Sequence, residues 1–531
     1  MNKKELFFLM LAFIIAGCFY LTHITTTGLQ FDEGIEYFFS KYMTALPVNL
    51  YASPTYNMYE RIISTYQPPL YNIMMYCWLC LFDSEFFFRL AGVIVTFVGA
   101  LGFYFTLKKI TDFRWAALGM LMYLSAYSVM YYALECAEYN LQLCMECWMI
   151  FFFIRCIDVK EVSRKDIIGF YLFAVLSIYS QYGSAFLIIS LFIVLFHNYI
   201  KYKCYNSLRW LIIIGILIVF IFIVPLWIFF VEPQMSHQES LTISHSPVYV
   251  KNIIYSFVLS IYNSISWIFT YIYATRVSIG AIAVFAIGTL FIFIMLIAIF
   301  RTHQRIYTLL VSTLLLCFLL YFFASAHSFY AYNAFEGKVG CYNIIWGKRY
   351  VLFIAPIFIL TMMTSINQIY KSFPSKSKTR KLILLSNIGV VLILYAWMWL
   401  YGVVSKGKER EAIYAWIEMN GYNKKTLIQP EVLPAFYFYY IHSPKYDNNS
   451  NNIIPLHGHH LTTTIGYQIQ QIKESDILSH NDFYFIYNEI FHYTELYDFL
   501  EEQGYNIETV FEAGSAKVIH LYRDNRKELA L

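Results

Sequence analysis

A chain of 531 residues that is 59% hydrophobic, only 14% charged and close to electrically balanced at +4 has neither the polar surface of a soluble enzyme nor the basic patch of a nucleic-acid binder. Its apolar runs are long enough to cross the roughly 30 Å of a bilayer interior, which makes it a polytopic helical membrane protein. Ten cysteines form no framework: most lie in the apolar runs and none follows residue 402, so disulfides do not staple the C-terminal part.

In chain order, apolar runs predict membrane helices near 5–26, 89–107, 115–134, 139–156, 167–181, 184–200, 210–231, 277–300, 306–326, 350–370 and 382–402, which is eleven crossings. With the N-terminal NKK in the cytoplasm, KKITDFR, RCIDVKEVSRK, KYKCYNSLR, RTHQR and KSFPSKSKTRK all fall on that side, as the positive-inside rule requires. Segments 27–88, 232–276 and 327–349, and everything from 403 onward, are then expected on the opposite, extracytoplasmic face. Within the first of these, QPPLYNIMMYCWLCLF reads as an interfacial helix started by Pro68 and Pro69 rather than as a span.

After Gly402 the composition becomes that of a soluble domain, 403–531. KEREAIYAWIEMN predicts an amphipathic helix, TLIQP and DFYFIYN strands, YTELYDFLEEQGY a helix ending at Gly504, and NIETVFEA and AKVIHLYRD two more strands of a small α/β domain. Inverted repeats with paired broken helices, expected of many transporters, are not evident.

The chemistry-bearing residues are few. Asp32-Glu33, in FDEGIEYFF, stand just past the first span, where a carboxylate either serves as a general base or merely ends a helix in water. CWLC (Cys77, Cys80) and CMEC (Cys144, Cys147) lie in aromatic, helical surroundings that fit packing better than redox or zinc chemistry. The HGHH run (His457, His459, His460) has no accompanying acidic or Cys ligand pattern.

Three features in order carry a resemblance to a known family: an acidic motif after the first span (Asp32, Glu33, Tyr37), then Gln67-Pro68-Pro69-Leu70-Tyr71, then SEFFFRLAG with Arg89-Leu90. YSVMYYALECAEYNLQL, with Glu135 and Tyr139, and GKRYVLFIAP, with Arg349 and Tyr350, extend it over nearly all of 1–402. These segments resemble the GT-C fold glycosyltransferases that use polyprenyl-phosphate sugars, the group of protein O-mannosyltransferases and lipid A aminoarabinose transferases. Two positions depart from that pattern: Gln67 stands where relatives carry a cation, and Ala137 where Arg is usual.

The resemblance implies a GT-C-like transmembrane catalytic domain at 1–402 that moves a sugar, with inversion, from a lipid-phosphate carrier to an acceptor on the outer face. It implies Asp32 as base, with Glu33 beside it. Arg349, Lys348, Arg276 and Arg61 are candidates for the donor phosphate, Arg349 first because its guanidinium fork matches phosphate oxygens. Arg349 equally fits an interfacial anchor. Gln67, Tyr37, Tyr71, Glu135, Tyr139 and Tyr350 are candidates for sugar, acceptor or lipid, although the chain has 48 tyrosines and Glu135 would also suit a helix cap. Neither a cofactor nor a catalytic metal is expected, since no Asp-x-Asp motif stands in an outer loop and a lipid phosphate already leaves readily. The expected partners are membrane lipid, the polyprenyl-phosphate-linked donor and a glycan, lipid or protein acceptor. The competing reading is a secondary transporter or lipid-linked-sugar flippase, which would place ionisable groups at mid-bilayer.

Overall fold

The computed structural model describes residues 3–24, 28–42, 67–157, 162–241, 305–328, 349–397, 408–446, 452–456, 465–488 and 494–523, with short stretches at 59, 62–63, 265, 268–269, 289–290 and 292–298. Helices dominate up to residue 397: α1 Lys3–His23, α2 Phe31–Lys41, α3 Leu70–Leu79, α4 Glu85–Ile110, α5 Phe113–Leu124, α6 Tyr127–Leu134, α7 Tyr139–Ile157, α8 Arg164–Ser180, α9 Ser184–Lys201, α10 Tyr205–Ile218, α11 Glu232–Leu241, α12 Arg305–Ser328, α13 Ala355–Ser372 and α14 Lys378–Trp397. Seven helices are long and apolar enough to cross a membrane among the described residues, or eight if α5 and α6, bent by 60°, form one span. Of the other expected crossings, 167–181 and 306–326 coincide with α8 and α12, while 277–300 lies largely outside the described residues. The Pro-Pro segment gives α3, ten residues long and too short to span.

The sequence explains local starts and bends. Asp112 caps α5 by accepting hydrogen bonds from the Arg114 and Trp115 amides, and Ser163 caps α8 through the Lys165 amide. Between α10 and α11 the helix continues through π turns Val219–Ile223 and Trp227–Val231, which flank Pro225 and absorb its missing donor.

Burial separates central from peripheral spans. The apolar window of Val351–Ser372 is 94% buried, whereas that of Tyr205–Ser236 is 11% buried, the exposure expected of a lipid-facing helix. The buried helix accordingly hides its hydroxyls: Thr361, Thr364 and Ser365 donate to the carbonyls of Ile357, Leu360 and Thr361 one turn earlier.

The C-terminal part contains α15 Lys408–Asn420, β1 Thr426–Ile428, α16 Leu433–Ile441, β2 Ile453–Pro455, α17 Ile465–Glu474, β3 Asp482–Asn488, α18 Thr494–Glu502, β4 Asn506–Ala513 and β5 Ala516–Tyr522. The sheet order is β2-β1-β3-β5-β4; β1 pairs parallel with β2 and β3, and β5 antiparallel with β3 and β4. Leu427, Phe483, Phe485, Ile519 and Leu521 from the sheet and Ile472, Leu496 and Leu500 from its helices form the core. Gly504, at φ +83°, follows the last turn of α18, a backbone conformation that glycine adopts without strain.

Contacts group the chain into two units. One comprises 1–22, 62–74 and 89–402; the other comprises 23–61, 75–88 and 403–531. Of the described residues before 402, α2 and the turn before α4 group with the C-terminal residues. The physical reason lies in α2, whose buried face is aromatic and finds its complement on α16.

Candidate active site

The acidic pair sits in the first turn of α2, and its two members have separate surroundings. Gln30 and Glu33 form a capping box in which the Glu33 carboxylate accepts from the Gln30 amide at 2.8 Å. Glu33 is buried in this duty, whereas Asp32 is exposed. An acidic first turn also suits the positive end of the helix dipole. Of the two carboxylates, Asp32 is the exposed one.

The rest of α2 anchors that turn. Gly34 lies so close to α16 that a Cβ there would stand 2.6 Å from the Ala435 nitrogen and 2.7 Å from the Pro434 carbonyl carbon, so only glycine permits the approach. One turn on, Tyr37 is fully buried with its ring centroid 4.7 Å from Phe438 and 5.7 Å from Phe88, both edge-on. Its hydroxyl donates to Asp83 Oδ1 at 2.7 Å. Tyr37, a candidate for stacking on sugar or lipid, thus has its ring in this packing.

Asp83 is a hub that the sequence did not reveal. Besides Tyr37 it takes Lys41 Nζ at 3.0 Å and His442 Nε2 at 3.4 Å, while His442 Nδ1 lies 2.7 Å from the Phe438 carbonyl oxygen. Burial opposes its charge, yet hydrogen bonds from His442, Tyr37 and Lys41 hold the carboxyl down to about 2. Burial likewise disfavours the His442 imidazolium, but Asp83 and the Phe438 carbonyl outweigh it and raise that pKa. Acid and imidazolium stabilise each other and tie α2, the turn before α4 and α16 together. The Asp83-Ser84-Glu85 break inside the apolar run CLFDSEFFF is the signal that could have found it.

In the other unit, two separately noted motifs prove to be one junction. Arg89 is buried and donates from Nη1 to the Leu134 carbonyl at 2.5 Å, holding the C-terminal end of α6. One turn on, a Cβ on Gly92 would meet the Ala133 carbonyl oxygen and Asn140 Nδ2, each at 2.5 Å. RLAG and ALECAEYN are thus partners across α4 and the α6–α7 turn. Glu135 is the buried C-cap of α6, and Tyr139 begins α7 with its ring 4.7 Å from Tyr132. Tyr71 is buried in the first turn of α3. The Gln67 carbonyl accepts from Gln234 Nε2 at 2.9 Å, and Tyr182 in turn donates to Gln234 Oε1 at 2.8 Å.

Of the proposed phosphate cations, Arg61, Arg276 and Lys348 lie outside the described residues. Arg349 and Tyr350 open a 3-10 turn, Arg349–Ile354, of which only the backbone is described at these two positions. His457, His459 and His460 also lie outside the described residues. Among the described residues, no group of three or more His, Cys, Asp or Glu is placed to hold a metal. Cys77, Cys80, Cys144 and Cys147 are in no disulfide among the described residues.

The helical membrane part with its terminal α/β domain has a GT-C-like fold. The crystal structure of ArnT from Cupriavidus metallidurans in the apo state superposes with TM-score 0.58 at 11% identity, over 96% of this chain and 97% of that one. The same protein bound to undecaprenyl phosphate gives 0.55 at 10% identity, again over 96% and 97%. The apo oligosaccharyltransferase of Archaeoglobus fulgidus gives 0.50 at 10% identity, over 92% of this chain and 71% of that one. At the level of sequence, residues 66–229 match the family described as dolichyl-phosphate-mannose-protein mannosyltransferase. No curated protein sequence matches significantly. The family match covers the Gln67 and Arg89 motifs and the Glu135 segment, and stops short of Asp32 on one side and Arg349 on the other.

Proposed function

We propose that the protein transfers a sugar from a polyprenyl-phosphate carrier to an acceptor on the extracytoplasmic face of the cell membrane, with its N-terminus cytoplasmic. The acceptor oxygen attacks the anomeric carbon as the bond to the lipid phosphate breaks, with inversion. The acceptor proton passes to the Asp32 carboxylate, and the lipid monophosphate leaves with the bonding pair. The observation that carries this assignment is the division within the acidic pair: Glu33 is committed to the helix cap while Asp32 is exposed one position before it. Arg349, with Lys348, Arg276 and Arg61, is the proposed cation set for the departing phosphate, a role for which a guanidinium fork is chemically suited. Gln67, Tyr71, Glu135, Tyr139 and Tyr350 are the proposed lining for sugar, acceptor and prenyl chain. Undecaprenyl phosphate, the ligand in one ArnT structure, is the donor carrier by analogy. No resident metal or cofactor is invoked, because the lipid phosphate is itself a competent leaving group.

The test is mass analysis of envelope glycans, glycolipids and glycoproteins from a strain lacking the protein. A sugar-sized mass loss restored by the wild-type chain but not by Asp32→Asn supports the proposal. An unchanged glycan profile on deletion contradicts it.

A further inference from the structure

The domain after Gly402 carries no catalytic motif, yet one of its side chains is bonded to the chain entering the acidic turn and another lies within electrostatic reach of that turn. Arg410, in the first turn of α15, has a side chain only 13% exposed, with Nη1 3.9 Å from Glu409 Oε2. Its Nε is buried and makes no hydrogen bond among the described residues. Besides Glu409, Glu33, Asp32 and Tyr439 act electrostatically on its guanidinium. Glu409 is itself held: its Oε2 accepts from Ser515 Oγ at 3.2 Å, and its carboxylate lies against Gly514 where no Cβ would fit. A guanidinium this far withdrawn from water needs negative charge nearby, and besides Glu409 the first turn of α2 contributes two carboxylates to it.

Tyr439, on α16, acts just ahead of the α2 N-cap. Its hydroxyl accepts the Leu29 amide at 2.8 Å and donates to Glu85 Oε2 at 3.2 Å. Leu29 immediately precedes the N-cap Gln30, so this bond fixes the direction in which the chain enters α2. One residue thus sets the backbone path and the other supplies the counter-charge.

We propose that Arg410 and Tyr439 are positioning residues for sugar transfer, holding the Asp32 turn in its reactive arrangement and offsetting the repulsion between its adjacent carboxylates. This inference rests on Asp32 being the base. A carboxylate displaced by about 1 Å loses on the order of 100-fold in rate while remote binding of the lipid is untouched, which separates positioning from phosphate binding.

The full-length protein is tested in two ways: sugar transfer in a deletion strain carrying each variant, and affinity of the purified chain for undecaprenyl phosphate. Expected are a loss of about 100-fold in transfer for Arg410→Gln and about 10-fold for Tyr439→Phe, with Arg410→Lys recovering most of the loss and undecaprenyl phosphate affinity within about two-fold of wild type throughout. Wild-type transfer by Arg410→Gln overturns the proposal. So does a parallel loss of undecaprenyl phosphate affinity, which would make Arg410 a phosphate ligand, and so does an Arg410→Lys as inactive as Arg410→Gln. An Asp32→Asn arm keeps the two claims apart: its retained transfer sinks the base assignment, whereas its inactivity beside a fully active Arg410→Gln sinks only the positioning role.

Discussion

The α2–α16 contact and the Arg89 junction are built from the same parts and end differently. Each uses a glycine where two backbones touch, Gly34 on Pro434 and Ala435, Gly92 on Ala133. Each adds an ionised side chain that ties segments distant in sequence, Asp83 in one and Arg89 in the other. At the Arg89 junction the charged side chain is spent on a helix end and is buried. At α2 the anchoring residues are buried but Asp32 is left exposed at the helix start. One junction thus shapes the membrane unit, and the other leaves the proposed base, Asp32, exposed.

The sharpest way to break this comparison is at Arg89. Arg89→Met leaves the Leu134 carbonyl buried without its donor, and a loss of about 2–4 kcal/mol in stability, read by thermal unfolding in detergent, is expected. Next comes Gly34→Ala, whose methyl collides with main-chain atoms that cannot turn aside; we expect about 1–3 kcal/mol of destabilisation together with lost transfer. If Gly34→Ala is instead silent, α2 is not held by α16. Asp83→Asn keeps the shape but removes the charge shared by Tyr37, Lys41 and His442. Because the Asp83 side chain is 35% exposed, its expected loss is smaller, about 1–2 kcal/mol. Glu33→Gln, which keeps an acceptor for the Gln30 amide, should change stability by less than about 1 kcal/mol, and a large loss would mean that the carboxylate does more than cap.

The same hub predicts a pH response of definite sign. The Asp83 carboxyl is held below its ordinary 3.8, so its contribution is present above that pH and is lost as pH falls through about 2. His442 is raised above its ordinary 6.5, so its contribution is complete below 6.5 and is lost as pH rises through the folded value. Stability should therefore decline on the alkaline side of 6.5, and His442→Ala should flatten that decline. An unchanged alkaline slope in His442→Ala removes the imidazolium from the account.

Much of the architecture was legible because bilayer thickness and charge bias act on the sequence directly. Hydropathy located the spans that the described residues contain, and proline plus length identified α3 as too short to cross. Periodicity gave α15, β3 and β4 at their observed bounds. It missed α16, since LPAFYFYYI is apolar on every side and shows no helical alternation; burial on several faces is what makes it so. The Asp32 turn was legible as an acidic pair after a span, but the separate fates of Asp32 and Glu33 follow from capping geometry. Nothing in KEREA singles out Arg410 from the three other charges beside it, and Asp83, Tyr439 and His442 acquire roles only through contacts about 40 to 410 residues away in sequence.

The most direct measurement is made on purified Asp32→Asn in proteoliposomes, following both sugar transfer from polyprenyl-phosphate donor and binding of undecaprenyl phosphate. The account predicts transfer reduced by about 100-fold or more with binding unchanged, because the substitution removes a proton acceptor and little else. Transfer at the wild-type rate would contradict it.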